Sequence, residues 1–372
     1  MKSFTSITLF IILIVLLILY RIIESNRLGE ETQDNIDTIQ KYLFNDTDLT
    51  NSKKPILWLH VPHEYNSRNW LSFGSRSTFN LNQEYLYLTV KSIINKCDKS
   101  FTICLINDNS FNKLLPNWSI DINNISSPIS DKIRTLGLMK LLYNYGGIIC
   151  PISFLCIQDL KPLYDIGTNG NKMFLCEFVN TNITSTETFF YPNLLFSGAP
   201  KKSHTVLSLI DFIQRTISTD FTDESTFLGE FNRWCERKIS SQEINLIDGM
   251  YIGTKTTDNK RILVDDLLQQ NYLNLYPKLY GIYIPSDEIL KRKYYEWFAR
   301  LSAKQVLESN TIIGNYILIT LANEDKSSIL EPIVVRPNNW VGFWKVPSGA
   351  PLWSIKPNFL GDNIPMLPYP ER

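Results

Sequence analysis

Between Lys2 and Arg21 the chain carries nearly twenty uncharged residues, and from Phe4 to Tyr20 it reads FTSITLFIILIVLLILY. A run of that length fits a single tilted helix across a bilayer core, with Ile22 and Ile23 continuing it past Arg21. A cleaved secretory signal has a shorter apolar core and ends at small residues, whereas Tyr20-Arg21-Ile22-Ile23-Glu24 follows here. Residues 4–23 are therefore expected to hold the protein in the lipid bilayer as a single-pass anchor, within a first segment 1–24. Lys2 on one side faces Arg21 and Arg27 on the other, so charge does not decide the orientation.

A polar, acid-leaning stretch, residues 25–53, reads as a stalk that holds a body away from the membrane. With 44% hydrophobic and 20% charged residues, the rest of this 372-residue chain can bury one large core or two smaller ones. Lys plus Arg number 37 and Asp plus Glu 37, so no basic excess exists to neutralise phosphates, and nucleic acid is not an expected partner. Ile (44) and Asn (33) are abundant while Ala occurs 5 times, a skew toward AT-rich codons. Sequons stand at Asn45, Asn117, Asn124 and Asn182, but a chain this rich in Asn, Ser and Thr carries roughly five by chance. The cysteines, Cys97, Cys104, Cys150, Cys156, Cys176 and Cys235, contain no C-x-x-C and no metal-ligand spacing.

Strands and helices alternate along the body. Ile56–Val61 and Phe101–Asn107 read as short buried strands, with a helix over Leu86–Ile94 between them. Ser130–Tyr145 is the clearest helix, stopped by Gly146-Gly147, and Ile148–Leu155 reads as one strand after it. On that reading Cys150 and Cys156 share a strand face about 20 Å apart, too far for a disulfide. Strand-like runs at Phe174–Val179 and Leu194–Ser197 and a helix at Thr205–Thr216 continue the alternation, which implies a layered α/β sheet. Residues 54–243 form this α/β domain. The C-terminal region, 244–372, is expected to hold a hairpin and helix, a long amphipathic helix after Pro285, and a Pro/Trp-rich tail with Trp340, Trp344 and Trp353 packed on the body.

The pattern Ser130-Asp131-Lys132-Ile133-Arg134, a Leu-rich helix, Tyr145-Gly146-Gly147 and a strand resembles the Asp-x-Asp-type sugar-binding glycosyltransferases, which include capsular-polysaccharide-synthesis-like enzymes of GT-A fold. KPILWLHVP, FTICLINDNS and NLLFSGAPKKSHTVLSLIDFI extend the likeness over residues 54–220. The resemblance implies a GT-A-like layered sheet with flanking helices after the transmembrane helix, and nucleotide-sugar binding by Asp131, Arg134, Gly146, Gly147 and Asn193. Read from spacing alone, Asp131 and Arg134 are a surface i,i+3 ion pair and the glycines end a helix.

In that family the strand after Gly-Gly ends in the two carboxylates that bind a divalent cation. Here those positions are Pro151 and Ser153: proline has no ligand atom, and a hydroxyl is a poor substitute toward a hard cation. No metal and no cofactor is expected. Asp159, Asp165 and Glu177 follow in sequence but are expected to point elsewhere, and His60 with His63 lacks a third ligand. RNWLSFGSR, Asp248-Gly249 and YGIYIPSDEIL also resemble membrane-anchored proteins of large DNA viruses. Together these resemblances imply a glycosyltransferase-like protein without catalysis, in a structural or binding role beside protein partners in a virion or host membrane. The alternatives are an active transferase acting on a nucleotide-sugar donor and a tethered lectin. If residues 4–23 span a bilayer, the chain stays in the membrane pellet through carbonate washing and deletion of residues 1–24 releases a soluble body; a mature chain beginning near residue 24 refutes this.

Overall fold

The computed structural model describes residues 54–62, 83–125, 129–181, 187–219, 224–291 and 294–322. The anchor, the stalk, Asn45, His63, Asn182, RNWLSFGSR and the Trp-rich tail lie outside the described residues. Among the described residues no helix is long and apolar enough to cross a membrane.

The body is a mixed α/β structure built on a six-stranded sheet in the order β2-β1-β3-β6-β5-β7. Its strands are β1 (Ile56–His60), β2 (Thr102–Ile106), β3 (Gly147–Ile149), β5 (Met173–Val179), β6 (Phe190–Ala199) and β7 (Ile244–Ile247). β1 pairs in parallel with β2 on one side and β3 on the other, while β6 runs antiparallel between β3 and β5. β5 and β7 pair in parallel. Every strand except β6 thus points the same way. Leu57, Trp58 and Leu59 of β1 are fully buried, as a strand covered on both faces requires.

Helix α1 (Glu84–Cys97) joins β1 to β2, and a short α2 (Ser110–Leu114) follows β2. Helix α3 (Ile129–Tyr145) leads into β3 and packs against α5 (His204–Thr219). The expected helix end is found: Gly146 has φ 70° and its N–H bonds to the carbonyl of Leu142. Gly147 is more constrained, with φ 102° and a backbone so close to β1 that a Cβ would lie 2.1 Å from the Ile56 carbonyl oxygen. This pair lets the chain leave α3 and enter the sheet directly beside β1.

Ile148–Leu155 is two strands instead of one. Pro151 has no N–H for a ladder, and after Cys150 donates to the Trp58 carbonyl the chain turns out of the sheet, Phe154 N–H bonding back to Pro151. It resumes as β4 (Phe154–Cys156), antiparallel to β8 (Gly281–Tyr283) in a separate two-stranded sheet. The straight-strand separation of Cys150 and Cys156 therefore does not apply.

The remaining helices are α4 (Lys161–Gly167), α6 (Glu224–Ser240), α7 (Val264–Leu268), α8 (Ser286–Lys291), α9 (Glu296–Ala299), α10 (Ala303–Glu308) and α11 (Ile312–Ala322). Two expectations for the region after residue 243 are corrected. β7 is not half of a hairpin but the edge strand of the main sheet, pairing in parallel with β5 and burying Ile244 and Ile247; among the described residues after 243, hairpin-like pairing is confined to the Lys255–Arg261 bridge. The helix after Pro285 is broken into short pieces, because Ser302 starts a new one, capping Gln305 N–H while the Gln305 side chain accepts from Ser302 N–H. These pieces share one apolar cluster with Tyr85 and Leu88 of α1, so residue 243 marks no break in the core.

Gly147→Ala is expected to destabilise the body by about 3 kcal/mol and Gly146→Val by about 1 kcal/mol or more: both have a positive φ and meet backbone, but a Cβ would lie 2.1 Å from the Ile56 oxygen at Gly147 and 2.8 Å from the Lys201 nitrogen at Gly146. Urea unfolding followed by tryptophan fluorescence checks the order, and an unchanged midpoint for Gly147→Ala refutes it.

Candidate functional site

Open α/β sheets bind ligands at the carboxyl ends of their parallel strands, where successive connections depart to opposite sides. Here β2 lies on one side of β1 and β3 on the other, so that point falls at the end of β1. His60 is the last residue of β1, and Asp108 lies two residues beyond β2. Asp131 and Arg134 occupy the first turns of α3.

Asp108 is the hub. Its carboxylate accepts from Arg134 Nε at 3.1 and 3.2 Å and from Arg134 Nη2 at 3.0 Å, a forked pairing, and lies 2.9 Å from His60 Nε2. Arg134 Nη1 donates to Asp131 Oδ1 at 2.8 Å. The Asp108 side chain is 3% exposed and that of Asp131 55%, so the network runs from the interior to the surface. Burial alone would raise the Asp108 pKa, but the hydrogen bonds and charges of His60 and Arg134 outweigh it and hold the carboxyl at about 2. Burial likewise opposes the Arg134 charge, and the hydrogen bonds to Asp108 and Asp131 override it and raise its pKa. The i,i+3 pair read from sequence is real, yet it is the outer half of a three-element link.

Local chemistry places each member. Asn107 Oδ1 accepts from Ser110 N–H at 3.0 Å, closing the turn that carries Asp108. The His60 ring stacks on Phe111 with centroids 5.5 Å apart. Phe111 fits because α3 has Gly137 beneath it, where a Cβ would lie 2.9 Å from the ring.

The other residues singled out by resemblance do not join this group. Gly146 and Gly147 sit at the amino end of β3, level with Ile56 and about 13 Å from the His60 level, so they shape the sheet and do not approach a ligand at its carboxyl edge. Asn193 lies on the edge formed by the start of β6, but its side chain is used locally: Oδ1 accepts from Leu195 N–H and Nδ2 donates to Tyr191 Oη, at the bulge facing Leu175 and Cys176. Pro151 and Ser153 lie in the turn after β3. Ser153 is 2% exposed and its carbonyl accepts from Ile284 N–H, while the Ile152 carbonyl takes the Thr89 hydroxyl.

A second polar cluster occupies the same edge at the ends of β5 and β7. Lys255 Nζ is 2.5 Å from Glu177 Oε2 and 3.3 Å from Asp248 Oδ2, and lies 4.5 Å from the Phe190 ring centre. Gly249 N–H donates to Glu177 and Met250 N–H to Asp248. Glu177 therefore does reach the carboxyl edge, because β5 is a separate strand parallel to β1; three strand spacings, about 14 Å, separate them. Asp159 bonds Ser100 and Lys161 N–H, and Asp165 pairs with Lys161. Sequence reasoning missed Asp108 as the hub and Lys255 altogether. Asp108 had a signal, the acidic turn after a buried strand; Lys255 had none. Among the described residues, no three His, Cys, Asp or Glu side chains are grouped to hold a metal ion.

Comparison with known protein families, with curated sequences and with solved structures finds no match to this chain.

The low pKa of Asp108 predicts an acid-sensitive fold. A carboxyl depressed from 3.8 to about 2 contributes stability that is complete above about pH 4 and lost as pH falls through 2, about 2 kcal/mol in all. Thermal melts from pH 5 to 2 should show this fall, and Asp108→Asn should flatten it while lowering stability at pH 7; an equal acid slope in both proteins refutes the assignment.

Proposed function

We propose that this chain is a membrane-anchored protein with a GT-A-like domain that binds a ligand without transferring sugar and serves a structural or binding role in a membrane-associated assembly, such as a large virus particle. The fold part of this reading is supported by the six-stranded sheet with one reversed strand and by flanking helices, the layering that the sequence resemblance implies. The observation that carries the function is the turn after β3. Where a metal-assisted transferase needs two carboxylates, this turn offers Pro151 and a buried Ser153 hydroxyl.

Neighbouring groups are already committed. Both oxygens of Asp108 accept from Arg134, and the charge of Lys255 is taken by Glu177 and Asp248. Transfer from a nucleotide-sugar requires the diphosphate charge to be offset in the transition state, an interaction worth several kcal/mol. An edge of closed ion pairs is suited to hydrogen-bonding a sugar or a nucleoside and poorly suited to that task. A second reading, active transfer, is favoured by one observation: Glu177 of β5 and Asp248, the residue after β7, stand side by side at the edge, both reaching Lys255 Nζ.

Calorimetry of the detergent-solubilised full chain with UDP-, GDP- and CMP-sugars, with and without Mn²⁺ or Mg²⁺, tests this. Expected are donor affinities unchanged by either cation and no detectable sugar transfer. A cation-dependent gain of tenfold or more in donor affinity, abolished by Asp248→Asn, replaces this reading with the enzyme.

A further inference from the structure

Six cysteines occur in the chain and all are buried thiols. Sequence spacing offers no pair, but the fold brings Cys97, the last residue of α1, against Cys156, the last residue of β4, with sulfurs 3.8 Å apart across 59 residues of chain. We propose that Cys97 and Cys156 form a disulfide when the body folds in an oxidising compartment, locking α1 to the β4–β8 sheet. This site is independent of any ligand at the sheet edge.

Two observations carry it beyond proximity. The same face of α1 is already latched to the same segment by Thr89 Oγ1, which donates to the Ile152 carbonyl at 2.6 Å, and by Ser92 Oγ, which accepts from Cys156 N–H at 2.9 Å. Both side chains are fully buried, so these bonds fix the register of the helix on the strand and hold Cys97 opposite Cys156. A disulfide bond is about 2.05 Å long, so each sulfur needs to move only about 1 Å, within reach of side-chain rotation. Cys104 is on β2 and Cys235 on α6, in other parts of the fold. Cys150 is the near competitor, since it stands close enough to Cys97 and Cys176 to feel their charge.

Oxidation needs a partner, which is a small disulfide such as oxidised glutathione. One thiol loses its proton and attacks it, releasing one glutathione thiolate that takes up that proton; the second thiol then displaces the other glutathione. The two cysteines are oxidised by two electrons, the small disulfide is reduced to two thiols, and no proton is gained or lost overall. Burial pushes the Cys156 thiol well above its ordinary range, so the exchange proceeds during folding or local opening and not in the closed state. On the membrane-anchored reading proposed above, the bond records which side of the membrane the body folded on, a matter the flanking charges leave undecided.

The test incubates the detergent-solubilised full chain with oxidised and reduced glutathione in urea just below the unfolding midpoint, removes the urea, quenches with acid, and alkylates under full denaturation before peptide mapping. Expected are four alkylated cysteines, a single linked peptide pair joining Cys97 to Cys156, and a melting temperature raised on the order of 10 °C until reductant is added. Cys97→Ala and Cys156→Ala each abolish the link, and Cys235→Ala leaves it intact. Six alkylated cysteines in the wild-type chain, or a link that joins Cys150 to any other cysteine, overturns the proposal whether or not the alanine variants fold.

Discussion

A single buried carboxylate, Asp108, ties together the three elements around which the sheet is organised. It meets His60 from the central strand and Arg134 from α3, and it is itself carried by the turn after β2. A buried charge without partners would cost several kcal/mol, so these elements are held in one arrangement in which the charge is met. The surrounding packing follows from the same need. Phe111 braces the His60 ring, Gly137 makes room for Phe111, and the neighbouring Trp118 tilts against it with centroids 5.4 Å apart.

The carboxyl edge of the sheet is therefore polar, but its polarity is closed on itself. One group of ion pairs stands at the ends of β1 and β2 and another at the ends of β5 and β7, with the turn of Pro151 and Ser153 between them. Reversal of β6 separates the two groups and brings Phe190 beside Lys255. Such an edge differs from a metal-assisted catalytic site in a specific respect: its carboxylates already face cations supplied by the chain. Pro151, which offers no ligand atom, also ends β3 and sends the chain into β4, so one residue bears on both the chemistry of the edge and the topology.

The described residues of 244–322 complete the body instead of hanging from it. β7 supplies the last strand of the main sheet, Lys255 returns to its edge, and α8 through α11 bury Tyr85 and Leu88 of α1. Glu84 accepts from Ala303 N–H at 2.8 Å, so α1 is joined to the C-terminal helices at its start and to β4 through Ser92 in its third turn.

Local patterns in the sequence determined what depends on neighbouring residues. The helix ending at Tyr145, its stop at Gly146, the strands at Ile56, Phe101 and Phe174, and the ion pair of Asp131 with Arg134 were all legible, because periodicity, a glycine at positive φ and an i,i+3 spacing act within a few residues. Partners distant in the chain were decided only by the tertiary structure. Nothing local announces that Arg134 reaches back 26 residues to Asp108, that Lys255 closes on Glu177, or that Cys97 touches Cys156. The strand read over Ile148–Leu155 and the long helix after Pro285 were broken by local signals, since Pro151 cannot extend the β3 ladder and Ser302 caps a new helix. Only the tertiary structure decided where the freed segments went, β4 to pair with β8 and the short helices to share a core with α1, because those partners lie far away in the chain.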